Sequence, residues 1–221
     1  MYCPNGINSA TQSTLEMNLQ KKFYCAINGG RFLSTTTDAP IGTVIQNSTV
    51  IQQGAAENFY QGSQLDYSLF VLTIDADGDL GYAEPLASAS GLISSGIVSA
   101  VHGFLPIVIN SQDAKQTIVS SYLDNAEDAQ RQIIGQKQNG DYVIITAEGR
   151  NYKNSTGWTI PQATQVCLAM GLKFAFALDG GGSTETVIGE TQINTIYEGT
   201  YGRKVPTYII FNGTGIFNVP S

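Results

Sequence analysis

The stretch Ala177-Leu178-Asp179-Gly180-Gly181-Gly182-Ser183-Thr184 is the part of this sequence best equipped for chemistry. An apolar run delivers an acid into three consecutive glycines and then two hydroxyls. Glycine loses more backbone freedom on folding than any other residue, so three in a row answer a structural demand. Lacking Cβ atoms, they let N–H groups converge on an anion, or let a sugar lie against bare backbone. A tight turn would explain one or two glycines, so three favour a binding role. The run is neither a P-loop, since no Gly-Lys-Ser/Thr follows, nor a nucleophile elbow, since it lacks Gly-x-Ser-x-Gly.

Other reactive residue types offer less. The single histidine, His102, reads as a structural or surface residue rather than a general base. Cys3, Cys25 and Cys167 are odd in number and far apart, which gives neither a disulfide framework nor a metal-ligand spacing. Cys25 and Cys167 sit in apolar runs and are expected as packed thiols. With no His/Cys cluster, neither a metal site nor a cofactor is expected. Asp75-Ala76-Asp77-Gly78-Asp79 begins like a calcium loop but has no Glu at the twelfth position, so a hairpin turn is expected instead. Trp158 is equally suited to stacking on a sugar and to burial.

Composition narrows the partners. The 221 residues are 42% hydrophobic and only 13% charged, with 11 Lys and Arg and a net charge of −7. Nucleic acid and anionic membranes both call for a basic face, so neither is expected as a partner. No apolar run reaches the roughly 18 residues that a spanning helix needs. The opening MYCPNGINSA lacks the basic region and apolar core of a signal peptide, so none is expected there.

The elements that must position Asp179 can be read from periodicity and punctuation. Ser13-Thr14-Leu15-Glu16 is a capping box, followed by Leu15, Leu19 and Phe23 at helical spacing and ending near Lys21-Lys22. A buried strand over 23–27 runs into Asn28-Gly29-Gly30. Short strands are expected within 42–51, 69–74 and at Gly81-Tyr82, then a loop or helix start over 87–96. The strand over 104–109 carries Pro106 at an edge or entry position. Residues 133–137 and 142–147 flank Asn139-Gly140, which predicts a hairpin with a type I′ turn. Thr159 caps a helix with Pro161 in its first turn, with Ile160, Ala163, Cys167 and Met170 as its buried stripe. Gly171 ends it. Strands over 174–178, 208–211 and 215–219 complete the chain. The result is a single α+β domain over 1–221, a mixed, largely antiparallel β-sheet core flanked by helices.

Five pieces, in order, resemble the phosphodiester glycosidase family. They are Ala26-Ile27-Asn28-Gly29-Gly30, Arg131 to Gly135 before a hairpin, Glu148-Gly149-Arg150, Gly157-Trp158-Thr159 leading to Asp179-Gly180-Gly181-Gly182-Ser183, and Gly202-Arg203-Lys204-Val205-Pro206. The resemblance covers residues 13 to 212. Arg31 and Phe32 stand where the family usually has paired aromatics, and Glu148 replaces the commoner Asp. The chain begins a helix before Asn28, which suggests truncation relative to other members.

The resemblance implies hydrolysis of the glycosidic bond of a sugar 1-phosphodiester, releasing free sugar and a phosphomonoester. The leaving phosphate is better than an alkoxide, so anion stabilisation carries more of the barrier than general-acid help. A carboxylate must still attack or activate water at the oxocarbenium-like centre. Asp179 and Glu148, each expected at a strand end, are the catalytic candidates, and which of them attacks is left open. Arg131, Arg150 and Arg203 are candidates for the phosphate, since a guanidinium grips two oxygens at once. Gly29, Gly180, Gly181, Gly182, Ser183 and Thr184 are expected to line the substrate. Asn28 either hydrogen-bonds a sugar hydroxyl or is a turn residue, and Glu148 alternatively pairs with Arg150 or Arg131. The expected partner is a sugar-phosphate or cell-wall glycopolymer, and the setting a larger virion protein such as a phage tail, or a cell-surface protein. The alternative is a non-catalytic glycan-binding or tail-structural module of the same fold.

Overall fold

The structure, a computed structural model, describes residues 1–4, 12–32, 39–53, 69–149, 155–196 and 202–213. Helix α1 (Thr14–Lys21) starts on the capping box of Ser13 and Glu16 and ends on Lys22 in the left-handed region, φ 61°. Its buried face differs from the expected stripe. Thr14, Met17 and Asn18 face inward, while Leu19 is 37% exposed. The reason is polar. Asn18 Nδ2 donates to the carbonyls of Phe23 and Gly189, at 3.1 and 2.5 Å, which turns that face to the protein. Met17 then packs with Ala26, Val205 and Tyr208.

Strand β1 (Cys25–Asn28) follows, then β2 (Val44–Gln46) and β3 (Thr49–Gln52). The stretch expected as strand between Gly42 and Ile51 is thus a hairpin, turned by Asn47 and Ser48, both at positive φ. β4 (Val71–Asp75) and β5 (Leu80–Ala83) form the hairpin expected around Asp77. The small-residue stretch after Ala87 becomes α2 (Ala89–Ser94), capped by Ser88. β6 (Ile97–His102), β7 (Leu105–Ile109) and β8 (Gln112–Asp113) come next. β9 (Arg131–Lys137) and β10 (Tyr142–Ala147) pair as expected. Their turn is not type I′, because Gly140 alone of the Asn-Gly pair has positive φ and its N–H closes on Lys137 O at 3.0 Å. Asn139 Oδ1 instead accepts the Asp141 N–H at 3.1 Å, an Asx turn that competes with the left-handed conformation.

Helix α3 (Ile160–Ala169) carries the capping box of Thr159 and Gln162 with Pro161 in its first turn. Ile160, Ala163, Thr164 and Cys167 are buried, but Met170, at the C-cap, is 43% exposed. Strands β11 (Leu172–Ala177), β12 (Thr186–Ile188), β13 (Thr191–Gln192) and β14 (Tyr208–Phe211) follow. The strand expected over 215–219 lies outside the described residues.

All described pairings are antiparallel and fall into three sheets, ordered β13-β12-β1-β14, β10-β9-β11-β7-β8 and β3-β2-β6-β4-β5. One core cluster joins them, with Ile27 from the first, Leu105, Ile133 and Phe176 from the second, and Leu72 and Val101 from the third. The fold is therefore α+β, with strands dominant. Pro106 pairs with Phe176 where β7 and β11 shift register, a bulge at which a strand tolerates proline. Cys25 and Cys167 are packed thiols, both pushed by burial up to about 12.

Candidate functional site

Strand polarity decides which residues meet. Ala147 lies opposite Arg131 and Ala177 opposite Ile133, so the exits of β10 and β11 and the entry of β9 share one end of the five-stranded sheet. Glu148 and Asp179 are the first acids past those exits. Between them lies Gln130. A Cβ on Gly149 would sit 2.8 Å from Gln130 N, and one on Gly180 only 2.7 Å from Gln130 O. The Gly181 N–H donates to that same carbonyl at 2.9 Å. Gly157 presses on Ala129 in the same way, at 2.4 Å from its carbonyl oxygen. Glycine is thus demanded by close backbone approach, and at Gly181 by a φ of 56°.

Asp179 is held from the first sheet. Asn28, fully buried at the end of β1, donates from Nδ2 to Asp179 O at 2.8 Å and accepts the Glu185 N–H on Oδ1 at 3.2 Å. The Asp179 N–H reaches Gly29 O at 3.3 Å. Asn28 therefore fixes the two ends of the glycine loop; both its amide groups are committed to backbone. Gly29 contributes its carbonyl and its lack of Cβ, with Thr207 Oγ1 only 2.5 Å from where a Cβ would lie.

Residues 181–183 form a single 3₁₀ turn. Gly180 N–H donates to Asp179 Oδ1 at 3.1 Å, and the Ser183 hydroxyl bonds the same carboxyl. Arg203 Nη1 donates to Ser183 Oγ at 3.5 Å. Asp179 is half-buried, and desolvation of its carboxyl pushes it above the ordinary aspartate range. Ser183, then Arg31 and Arg203 through their charges, then the Gly180 N–H pull the other way. Thr184 is 2% exposed, and its Oγ1 has no hydrogen-bond partner.

The remaining candidates separate. Glu148 Oε1 accepts the Thr195 N–H at 2.8 Å, while Oε2 is buried without a partner. Arg131 is 8% exposed and directs Nε to Trp158 O at 2.8 Å and Nη2 to Glu127 O at 2.7 Å. Burial pushes its guanidinium below the usual arginine range, with Glu127 and Asp128 opposing. Its donors brace the 127–131 and 158 segments, a structural use that a sequence cannot distinguish from phosphate binding. Arg150 lies outside the described residues. Trp158 is half-buried against the core, and His102 is buried with its carbonyl against Gly30.

Two site residues escaped the sequence reading. Arg31 acts on Asp179, and its only sequence signal was its position after Asn28-Gly29-Gly30. Glu185, 2% exposed, accepts the Thr14 and Leu15 N–H groups at 2.8 and 3.2 Å and so anchors α1 to the end of the glycine loop.

A family model described as phosphodiester glycosidase matches residues 21–212. This chain belongs to that family. Among solved structures, the zebrafish N-acetylglucosamine-1-phosphodiester alpha-N-acetylglucosaminidase catalytic domain, auto-inhibited by its pro-peptide, superposes with a TM-score of 0.72 at 16% identity, covering 96% of this chain and 70% of that one. A protein from Burkholderia pseudomallei K96243 gives 0.63 at 12% identity over 96% and 70% of the two chains. A Synechocystis protein gives 0.60 at 14% over 87% and 52%. At those identities the likeness is one of fold. A stretch of 80 residues is 41% identical to the SPbeta prophage-derived protein YomE of Bacillus subtilis strain 168, covering 36% of this chain and 12% of YomE. Within the phosphodiester glycosidase domain, the ordered motifs around Asn28, Glu148 and Asp179 converge on one end of the sheet. Of the motif arginines, Arg131 is turned to backbone and Arg203 to the glycine loop.

Proposed function

We propose that this chain hydrolyses the glycosidic bond of a sugar 1-phosphodiester. One observation carries the reading: a half-buried carboxyl, Asp179, with a hydroxyl and two guanidiniums acting on it, at the mouth of a loop with no side chains on three successive residues. Water oxygen bonds to the anomeric carbon as the carbon–oxygen bond to phosphate breaks. The bonding pair leaves on the phosphate oxygen, and the water proton passes to a carboxylate. Burial makes Asp179 a stronger base than a solvated aspartate, which suits it to accept that proton or to attack directly. Arg203 and Arg31 stabilise the departing phosphate, and the Gly180–Gly182 backbone gives the sugar a flat surface. Glu148, past the end of β10 and one strand removed from β11, is the second acid at this end of the sheet. Sugar-phosphate-linked surface glycopolymers are the proposed substrates, and a module of a larger phage protein the proposed setting. The prophage relative supports that setting.

The test is a panel of sugar 1-phosphodiesters, including α-N-acetylglucosamine 1-phosphate esters and UDP-N-acetylglucosamine. Free sugar is resolved from sugar 1-phosphate, with Asp179→Asn as control. Free sugar that disappears in the variant is expected. Sugar 1-phosphate as product would mean cleavage on the phosphorus side. Glycan binding without turnover would make the chain a non-catalytic module.

A further inference from the structure

Asn28 ties the entry of the glycine loop to the first sheet, and a second buried asparagine ties its exit. Asn194, just past β13 and 9% exposed, spends its side-chain amide on backbone. Nδ2 donates to Thr184 O at 2.9 Å and to Thr195 O at 3.1 Å, while Oδ1 accepts the Thr186 N–H at 2.8 Å. Its own main chain is held as well: the Ile193 N–H donates to Thr186 O at 3.0 Å, and Gln192 Nε2 to Asn194 O at 2.5 Å. The next N–H along the chain, that of Thr195, donates to Glu148 Oε1 at 2.8 Å. Glu148 is thus held by the neighbour of the residue that fixes the end of the loop begun by Asp179.

A second tie runs through the hydroxyls. Thr146, two residues before Glu148 on β10, has Oγ1 2.7 Å from Thr186 Oγ1. Gln132 Nε2 donates to Thr146 Oγ1 at 3.3 Å, and its Oε1 accepts the Thr186 hydroxyl at 3.2 Å. The bonds close a ring: Thr186 to Asn194, Asn194 to Thr195, Thr195 to Glu148, and Glu148 back along β10 to Thr146 and Thr186. Such a ring removes the rotamer freedom of a long side chain. It also makes the two carboxyl oxygens unlike, because Oε1 is committed and Oε2 is buried without a partner. A purely structural carboxyl avoids that desolvation cost by bonding through both oxygens. We propose that Asn194 is a positioning residue: through Thr195 it fixes Glu148 by one oxygen at a set offset from the glycine loop, and leaves the other oxygen to meet the reacting centre. All side-chain bonds of Asn194 go to main chain, so it acts through Thr195 rather than on a ligand. The inference rests on the glycosidase reading for the reaction that Glu148 serves, but the positioning itself is measured without turnover.

The experiment uses the full chain with Asn194→Ala, Glu148→Gln and the double variant, each checked for a cooperative melting transition above the assay temperature. Asn194→Asp, which keeps the acceptor for Thr186 and loses both donors, takes the place of Asn194→Ala if that variant does not fold. The Thr195 amide proton is first followed by NMR between about pH 3 and 8. In the parent its shift should track a carboxyl that Glu148→Gln removes, and in the Asn194 variant that response should shrink about threefold or more as the bond lengthens. On the phosphodiester that is turned over, Asn194→Ala is expected to lower kcat about tenfold to a hundredfold with KM changed less than about threefold, as a displaced catalytic group does. In the Glu148→Gln background the same substitution should cost less than about threefold, because the group it positions is gone. A Thr195 amide that ignores Glu148 in the parent, an unchanged response in the folded Asn194 variant, or equal kcat losses with and without the Glu148 carboxyl would overturn the proposal. A parent whose Thr195 amide follows Glu148 yet turns over no phosphodiester would leave the positioning of Glu148 standing and remove the glycosidase reading.

Discussion

Two acid-and-glycine loops in this molecule look alike in sequence and behave differently. The Asp75–Asp79 turn is satisfied from within: Asp75 Oδ1 accepts the N–H groups of Asp77 and Asp79 at 3.0 and 2.9 Å, and Asp79 pairs with Lys173 at 2.7 Å at the surface. The Asp179–Thr184 loop closes its 3₁₀ turn with the Ser183 N–H on Gly180 O at 3.1 Å and the Thr184 N–H on Gly181 O at 3.2 Å, and its Asp179 carboxyl takes the Gly180 N–H and the Ser183 hydroxyl. Its other partners, Asn28, Arg31 and Arg203, come from distant parts of the chain. The first turn spends its acids on its own N–H groups and one surface lysine. The second gathers groups from elsewhere in the chain onto one half-buried carboxyl, and that difference separates a structural turn from a candidate site.

Substitutions can break or sharpen the contrast. Asp179→Asn should reduce turnover by about a thousandfold or more, whereas Asp75→Asn should leave it unchanged; initial rates on the active phosphodiester decide this. Asn28→Ala removes the partner of a buried carbonyl and a buried N–H in the second loop, and is expected to cost about 2–4 kcal/mol in urea unfolding. The contrast also extends to pH. Burial raises Glu185 to about 7, and Asp179 is raised as well. Carboxyls raised in the folded state contribute stability below their unfolded values, near pH 4, and lose it as pH rises through about 7. The second loop should therefore weaken by up to a few kcal/mol over that interval, and Glu185→Gln should flatten the slope in urea melts taken from pH 4 to 8. The smallest effect belongs to the first loop, where Lys173→Ala should change stability by about 0.5 kcal/mol or less.

Local signals were legible in the chain. The capping boxes at Ser13 and Thr159, the β9–β10 hairpin and the run from Asp179 each depend on residues within a few positions, and each element lies where those residues imply. What depends on tertiary contact was not legible. The face α1 buries is chosen by the bonds of Asn18, not by Leu15 and Leu19. Arg131 has the type and spacing of a phosphate ligand, but its donors meet the carbonyls of Trp158 and Glu127. Asn28 spends its side-chain amide on backbone, joining Asp179 to Glu185 across segments far apart in sequence. Glu185 itself carried no motif, because its partners are the N–H groups of a helix from the other end of the chain.

The crowding of Gly149, Gly157 and Gly180 onto Ala129 and Gln130 has a consequence for variation. Each glycine meets main-chain atoms, so what is constrained is the path of one dipeptide rather than its identity. In a saturation library, positions 149, 157 and 180 should reject nearly every substitution, while 130 should admit residues of similar bulk. Loops that carry Glu148 and Asp179 can then lengthen or change their chemistry only beyond these three positions. Diversification is steered toward the substrate-facing rim, and the spacing of the two acids passes unchanged from one variant to the next.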